Sequence, residues 1–160
     1  YGELIRAMGG TRCILDAGGP VLRLGAEAGP FLLKPNLAEL EQALGAQLRT
    51  LRAIRDAALI FLRKGASHVV VSMGAMGAMY VSEARPLYAP ALRVEARSTV
   101  GAGDAMVGGM LLGLQKSGDM AQAFRYGIAA GAASVMTEGT QLIHPEDFER
   151  LVSQVKVQEV

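Results

Sequence analysis

Short apolar runs of strand length recur along the chain, and segments with a helical apolar period separate them. The apolar runs predict buried strands over 11–15, 31–33, 68–71 and 78–81. Looser alternation over 86–95 predicts a further pair of short strands. The helical period predicts helices over 20–28, 37–44, 48–64, 103–114, 120–136 and 145–155, after a short helix at the start of the chain. Strands that alternate with helices predict an α/β fold, with a mostly parallel sheet covered on both faces.

Polar residues interrupt the apolar pattern where the predicted strands end. They are Asp16, Lys34 with Asn36, Ser72 and the turn 101–104. In parallel sheets ligands bind outside the carboxyl ends of the strands. We therefore expect these residues to share one edge of the sheet, where a ligand binds.

Composition narrows the class of protein. The 160 residues predict one domain over 1–160, 51% of them are hydrophobic, and the net charge of +1 gives no electrostatic reason to expect nucleic acid or an anionic membrane as a partner. No apolar run reaches the roughly 18 residues of a membrane span. The single cysteine, Cys13, excludes an internal disulfide and fits the reducing cytoplasm.

The run from Ser98 to Gly109 carries the strongest chemical signal. Gly101 and Gly103 accept backbone angles that side chains forbid, and a predicted helix follows at once. The backbone N–H groups of such a turn, with the positive end of the helix, form an anion site. Asp104 places a carboxylate beside that site, which is the arrangement that phosphoryl transfer to a hydroxyl requires. No Walker-type loop is present, and Met106 stands where the dinucleotide pattern needs its third glycine.

Two further motifs each allow a functional and a local interpretation. Asn36 and Glu39 lie three residues apart at a helix start, where they can hold a hydrated Mg²⁺ and phosphate oxygens or form a capping box. The pattern Ser72-x-Gly74-x-x-Gly77 lets a backbone approach a nucleotide closely or forms a hairpin turn.

These residues resemble the ribokinase-like carbohydrate kinases of the PfkB family, and within it the phosphofructokinase branch. The segments that carry the resemblance are 14–16, 33–36 with Glu39, 69–74, 98–109, 124–134 and 138–140. The resemblance implies a three-layer α/β/α ribokinase-like fold. It also implies that residues 1–160 correspond to the C-terminal, nucleotide-binding and catalytic half of a family chain, without the N-terminal half and lid that supply most sugar contacts.

The resemblance further implies roles for individual residues. Asp104 is the expected general base, and the backbone N–H groups of Gly101, Ala102 and Gly103 are expected to stabilise the transferring phosphoryl group. The residues expected to bind ATP are Lys34, Asn36, Ser72, Gly74, Gly77, Ala96, Ile128 and Ala132. Glu39 is expected to act through Mg²⁺, and a K⁺ site is expected at Ser98, Val100, Ser134, Thr137, Gly139 and Gln141.

The expected function is ATP-dependent phosphoryl transfer to a sugar phosphate, first of all from fructose 6-phosphate to fructose 1,6-bisphosphate. Fructose-1-phosphate and tagatose-6-phosphate kinases remain alternatives, as does a non-catalytic nucleotide-binding module. The whole enzyme is expected to be a homodimer. The isolated chain is expected to have little activity, to be poorly soluble and to associate, because the missing elements leave sheet edge and apolar helix faces uncovered.

Overall fold

The computed structural model describes all 160 residues and contains seven α-helices and six strands. The helices are α1 Gly2–Ala7, α2 Gly19–Ala26, α3 Leu37–Leu44, α4 Leu51–Arg63, α5 Ala102–Ser117, α6 Met120–Val135 and α7 Pro145–Gln154. The strands are β1 Ile14–Leu15, β2 Leu32–Leu33, β3 His68–Ser72, β4 Ala78–Val81, β5 Leu87–Ala89 and β6 Gln158–Glu159. None of the helices combines the length and the apolar character that crossing a membrane requires.

One sheet contains all six strands, in the order in which they occur along the chain. β1 pairs with β2, and β2 with β3, both in parallel. Leu15 lies opposite Leu33, and Leu33 lies opposite Val69, so the strands end at the same edge. The α/β class and the parallel arrangement of the first three strands are confirmed.

The chain divides into two compact units. The first unit comprises Tyr1–Met73, Met79–Tyr88 and Glu159–Val160, and the second comprises Gly74–Ala78 and Ala89–Gln158. The single domain expected from the chain length stays a prediction.

The first unit has a continuous apolar core between its sheet and helices α2 to α4. Its fully buried side chains include Leu22, Leu40, Phe61, Val69 and Met79. Buried strand residues bounded by amphipathic helices are what the apolar pattern predicts. This core fixes the ends of β1 to β3, where the polar residues of the first unit lie.

The second unit is built on two helices that pack unusually closely. A Cβ atom on Gly109 would lie 2.6 Å from the carbonyl oxygen of Tyr126, and one on Gly127 would lie 2.5 Å from Cγ of Met110. Because real side chains cannot approach so closely, these glycines set the spacing between α5 and α6. The close packing holds the N-terminus of α5 against the C-terminal half of α6, where a Cβ on Gly131 would lie 3.4 Å from the carbonyl oxygen of Ala102.

Local capping explains where helix α4 begins and where helix α5 ends. Helix α4 begins at Leu51 rather than at Leu48 because the Thr50 hydroxyl accepts a hydrogen bond from the Ala53 N–H at 3.1 Å. Helix α5 continues to Ser117, where Gly118 adopts a left-handed conformation and ends it. The prediction of two strands over 86–95 was wrong: only β5 forms there, and Pro90, which has no N–H, follows it. β6 was not predicted.

Candidate functional site

The polar residues of the first unit lie together at the carboxyl edge of β1 to β3, as predicted. The turn 101–104 belongs to the second unit, and its place at this edge stays a prediction. Asp16 directly follows β1, Lys34 directly follows β2, and Ser72 is the last residue of β3. Asn36 and Ser72 form a parallel bridge, in which the Ser72 N–H donates to the carbonyl oxygen of Pro35 at 3.1 Å. The sheet register therefore brings four predicted strand-end residues to one edge.

Lys34 is a buried lysine with an acidic partner. Only 3% of the residue is exposed, and its Nζ atom lies 3.0 Å from Oδ2 of Asp16. A buried ammonium needs such a partner, because an unpaired charge away from water is strongly unfavourable. The expected phosphate-binding lysine is thus already held by a carboxylate at the strand ends.

Asn36 and Glu39 form the capping box that the local interpretation predicted. Oδ1 of Asn36 accepts from the Glu39 N–H at 2.9 Å, and Oε2 of Glu39 accepts from the Asn36 N–H at 2.8 Å. The metal-binding interpretation stays a prediction, and the residues present are compatible with it. No three acidic, histidine or cysteine side chains are placed so that they could hold a metal ion together. Mg²⁺ at this place would therefore rely on the Glu39 carboxylate together with water and phosphate oxygens.

The loop after β3 requires glycine at two places. Residues Gly74–Met76 form a single 3-10 turn, and the Gly77 N–H donates to the carbonyl oxygen of Gly74 at 2.9 Å. Both Gly74 and Gly77 have positive φ, and a Cβ on Gly77 would lie 2.0 Å from the carbonyl oxygen of Ala89. The loop joins two neighbouring strands, as the hairpin alternative requires, and nucleotide contact at its glycines stays a prediction.

The signature run forms the N-terminus of α5 in the second unit. Gly101 caps the helix with φ of 79°, a conformation that favours glycine, and its carbonyl oxygen accepts from the Ala105 N–H at 2.9 Å. Asp104 lies exposed in the first turn. The Ala102 N–H makes a long hydrogen bond of 3.4 Å to the carbonyl oxygen of Thr99. The first N–H groups of a helix have no partner within it, so the positive end of α5 can attract an anion beside the Asp104 carboxylate.

One prediction about this turn was wrong. Gly103 lies inside α5 and is not among the glycines with positive φ, so it does not need the special backbone angle expected from the sequence. Only Gly101 provides the left-handed turn into the helix.

Most residues of the expected potassium site are joined by hydrogen bonds. The N–H groups of Arg97 and Ser98 donate to the carbonyl oxygen of Val135 at 2.7 and 3.2 Å, which places the segment before α5 beside the end of α6. The buried Thr137 hydroxyl lies 2.9 Å from the carbonyl oxygen of Ser134 and 3.2 Å from that of Gln141.

The remaining residues of that site lie in the same two segments. The Val100 N–H donates to the Ser98 hydroxyl at 3.2 Å, and Gly139 makes the turn between Thr137 and Gln141 with φ of 58°. Hydroxyl and carbonyl oxygens are the donors that K⁺ takes, so the donor set fits this ion. Occupation by K⁺ stays a prediction.

The three other residues expected at the nucleotide lie in the second unit. Ile128 and Ala132 are four residues apart on α6 and so share a face of that helix. Ala96 is exposed and precedes Arg97, whose N–H contacts the end of α6. Their contact with adenine or ribose stays a prediction.

Two contacts in the first unit were not predicted from the sequence. The position of Asp16 at a strand end was visible, but its pairing with Lys34 was not. The close approach of Gly18 to Glu39, where a Cβ on Gly18 would lie 2.6 Å from Cγ of Glu39, also depends on the folded chain. A glycine two residues after the strand-end acid Asp16 is the only signal that could have pointed to it.

Comparison with known proteins agrees with this geometry. The 6-phosphofructokinase isozyme 2 of Escherichia coli, described as ATP-dependent, is 36% identical over 89% of this chain and 47% of its own length. A 1-phosphofructokinase of Rhodobacter capsulatus is 38% identical over 98% of this chain and 50% of its own. The chain therefore spans about half the length of the curated relatives that it matches.

A solved structure confirms the ribokinase-like type of fold. The phosphofructokinase-2 of Escherichia coli, crystallised in complex with potassium, superposes with a TM-score of 0.88 at 35% identity, over 96% of this chain and 51% of that one. Residues 4–147 also match the pfkB family of carbohydrate kinases. With its glycine turn, its acidic residue and its strand-end lysine in the expected places, the chain belongs to the pfkB family of carbohydrate kinases.

Proposed function

We propose that this chain carries the nucleotide-binding and catalytic part of an ATP-dependent sugar-phosphate kinase. The observation that carries the proposal is the N-terminus of α5, where Gly101 turns the backbone into the helix and Asp104 is exposed in the first turn. An anion-binding helix end with a carboxylate beside it suits phosphoryl transfer better than nucleotide binding alone, since a binding module needs no base there.

In the proposed reaction Asp104 accepts the proton of a sugar hydroxyl. The hydroxyl oxygen forms a bond to the γ-phosphorus of ATP as the bond to the β,γ-bridging oxygen breaks, and ADP leaves. The backbone N–H groups of Gly101, Ala102, Gly103 and Asp104 stabilise the negative charge on the transferring group. These donors are fixed before the reaction by the packing of α5 on α6, so they need no reorganisation.

Further proposed contacts to the phosphates and to the metal come from the ends of β2 and β3, from the loop after β3 and from helix α3. The Lys34 ammonium and the Asn36 side chain contact ATP phosphates, while Ser72 and the loop glycines Gly74 and Gly77 line the nucleotide. Mg²⁺ supplies charge neutralisation at the phosphates when it is bound, and the Glu39 carboxylate holds it through water. The Glu39 carboxylate accepts a hydrogen bond from the Asn36 N–H, which orients it.

The proposed potassium site acts on the shape of the anion-binding turn. Its oxygens come from the segments 98–100 and 134–141, and the first of these leads directly into Gly101. A cation held there fixes the turn from outside the reacting groups. The Thr137 hydroxyl supports the site by its contacts with the carbonyl oxygens of Ser134 and Gln141.

Fructose 6-phosphate is the proposed acceptor, and fructose 1-phosphate and tagatose 6-phosphate are the alternatives. Relatives at 36% and 38% identity are named for 6-phosphofructokinase and 1-phosphofructokinase, which supports a phosphofructokinase reaction of either kind. We propose that the whole enzyme works as a homodimer in the cytoplasm.

A non-catalytic nucleotide-binding module is the second candidate. The observation that favours it is that this chain spans about half the length of its relatives. The two candidates differ in their need for Asp104, because only the kinase uses its carboxylate in a reaction.

The test is ADP release by the gene product that carries this chain, with MgATP and K⁺. Fructose 6-phosphate, fructose 1-phosphate and tagatose 6-phosphate are each supplied alone, and a reaction without sugar measures background hydrolysis. We expect release with one sugar phosphate to exceed background clearly and to exceed release with the other two. Release at background with all three would contradict the sugar-phosphate kinase and favour the binding module.

A further inference from the structure

We propose that Asp16 is a positioning residue, which holds the Lys34 ammonium at the sheet edge in the place where it meets a nucleotide phosphate. The proposal rests on the proposed function, in which Lys34 contacts ATP, and it adds a role for a residue to which that function gives none. The juxtaposition that carries it is the 3.0 Å ion pair between Nζ of Lys34 and Oδ2 of Asp16 at the ends of β1 and β2.

The two members of the pair differ in burial. The Lys34 side chain is 4% exposed, whereas the Asp16 side chain is 35% exposed. The carboxylate therefore lies at the open side of the pair, while the stem of the lysine is enclosed by the core. An ammonium has three donors, so the ion pair with Asp16 leaves capacity for phosphate oxygens.

A purely structural role explains this pair poorly. The ends of β1 and β2 are already tied by the Lys34 N–H, which donates to the carbonyl oxygen of Leu15 at 3.0 Å. An apolar side chain at position 34 would stabilise the buried position at least as well, because desolvation of two charges offsets most of their attraction. The presence of a buried lysine at the edge of the sheet where ligands bind is better explained by a role in contacting a ligand.

The loop that carries Asp16 is held in place by its glycines. A Cβ on Gly18 would lie 2.6 Å from Cγ and 3.1 Å from Cδ of Glu39, so the loop packs directly on the side chain of the capping box. Gly19 has φ of 59° and begins α2. Because the loop touches Glu39 at one residue and Lys34 at another, it fixes the charged groups expected at the phosphates and at the metal relative to each other.

The test uses the gene product that carries this chain and compares its affinities for MgATP and for AMP by isothermal titration calorimetry. Asp16→Asn removes the charge that positions Lys34, and Asp16→Glu restores it. Glu27→Gln is the matched control, because Glu27 pairs with Lys64 at 2.7 Å, also in the first unit and outside the site. Thermal melting of every variant reports whether it is folded.

We expect Asp16→Asn to raise the Kd for MgATP about tenfold or more, the equivalent of one hydrogen bond to a charged group, and to leave the Kd for AMP unchanged. Asp16→Glu should recover most of the loss, and Glu27→Gln should bind both nucleotides like the wild type. If Asp16 were merely structural, its substitution would weaken the binding of both nucleotides. An equal rise in the Kd for MgATP and for AMP, or no change in either Kd, would therefore overturn the proposal. If the wild-type protein binds AMP but not MgATP, or binds neither nucleotide, the proposed function is contradicted as well.

A second comparison keeps the proposal testable if Asp16→Asn does not fold. Lys34→Met removes the buried charge, and the double variant Asp16→Asn/Lys34→Met leaves no buried charge without a partner. Because Asp16 acts through Lys34, we expect Lys34→Met and the double variant to have the same ratio of the Kd for MgATP to the Kd for AMP. A further loss of MgATP affinity in the double variant would show that Asp16 acts by another route and would overturn the proposal.

Discussion

Asn36 and Glu39 cap helix α3 reciprocally, each side chain accepting a hydrogen bond from the backbone N–H of the other, at 2.9 and 2.8 Å. The same two side chains are the ones expected at the phosphates and at Mg²⁺. A capping box uses their oxygens locally, whereas a nucleotide site uses the charge of Glu39. Since the two roles depend on different properties, substitution can separate them.

Glu39→Gln should separate capping from metal binding. The amide oxygen can still accept from the Asn36 N–H, so we expect the free energy of unfolding to change by less than about 0.5 kcal/mol. Removal of the charge should lower the affinity for MgATP about tenfold or more and leave the affinity for metal-free ATP unchanged. Calorimetric titration with and without Mg²⁺ measures both.

Asn36→Ala is the complementary variant for the cap. It removes the acceptor of the Glu39 N–H and should lower the free energy of unfolding by about 1 kcal/mol, measured by urea denaturation. If Mg²⁺ changes the ATP affinity of Glu39→Gln as much as it changes that of the wild type, Glu39 has only its capping role.

Gly101→Ala should damage the anion-binding turn without steric collision. Nothing lies within 4 Å of a Cβ at this position, so the effect comes from the φ of 79°, a left-handed conformation that costs an alanine about 1–2 kcal/mol. We expect lower stability and weaker MgATP binding. Gly108→Ala is the control, because Gly108 lies in the same helix with open space around it and should become slightly more stable by its helix propensity. If Gly101→Ala and Gly108→Ala changed stability and MgATP affinity equally, a special role for the turn would be contradicted. Urea denaturation and calorimetric titration measure the two quantities.

Thr137→Val tests the proposed potassium site. The variant keeps the shape of the buried side chain and removes the hydroxyl that contacts the carbonyl oxygens of Ser134 and Gln141. We expect a loss of about 1–2 kcal/mol in the free energy of unfolding, and a higher K⁺ concentration for half-maximal stabilisation in thermal melts. Thr137→Ser keeps the hydroxyl and should retain the K⁺ response. A K⁺ response that is identical in all three proteins would exclude Thr137 from the site.

His68 should make the stability of the first unit depend on pH. Burial, with a smaller contribution from the positive charge of Arg12, lowers the pKa of His68 below its ordinary value of 6.5. Phe31 packs edge-on against the ring, with centroids 4.8 Å apart, and the Tyr80 hydroxyl lies 3.0 Å from Nδ1. The folded state thus favours the neutral ring.

The sign of the pH dependence follows from that lowered pKa. Between the folded value and 6.5 the unfolded chain binds more protons, so the contribution of His68 is complete above pH 6.5 and is lost as the pH falls towards the folded value. Urea denaturation between pH 7.5 and about pH 5 should show stability falling by at most about 1.4 kcal/mol per pH unit for this one group. His68→Gln should flatten this slope, whereas His144→Gln, at an exposed position, should not. A slope unchanged in His68→Gln would contradict the assignment.

The sequence predicted those parts of the fold that local patterns determine. Helix α3 was predicted with its observed bounds, since Asn36 and Gly45 mark its ends by capping. The strand-end positions of Asp16, Lys34 and Ser72 followed from the alternation of strands with helices. The ion pair of Lys34 and the contact of Gly18 with Glu39 could not be predicted, because they depend on how β1, β2 and α3 pack in three dimensions. The error at Gly103 has a local cause: two glycines stood in the turn, and the sequence did not show that only Gly101 takes the left-handed conformation.

The measurement that tests the account most directly is turnover of the Asp104→Asn variant in the gene product that carries this chain. With MgATP, K⁺ and the preferred sugar phosphate, we expect ADP release to fall about a hundredfold to ten-thousandfold, which is the usual contribution of a general base. The Kd for MgATP should stay at its wild-type value, and Asp56→Asn, at a surface ion pair with Arg55 in α4, should be fully active. Turnover of Asp104→Asn at the wild-type rate would exclude Asp104 as the base and contradict the proposed mechanism.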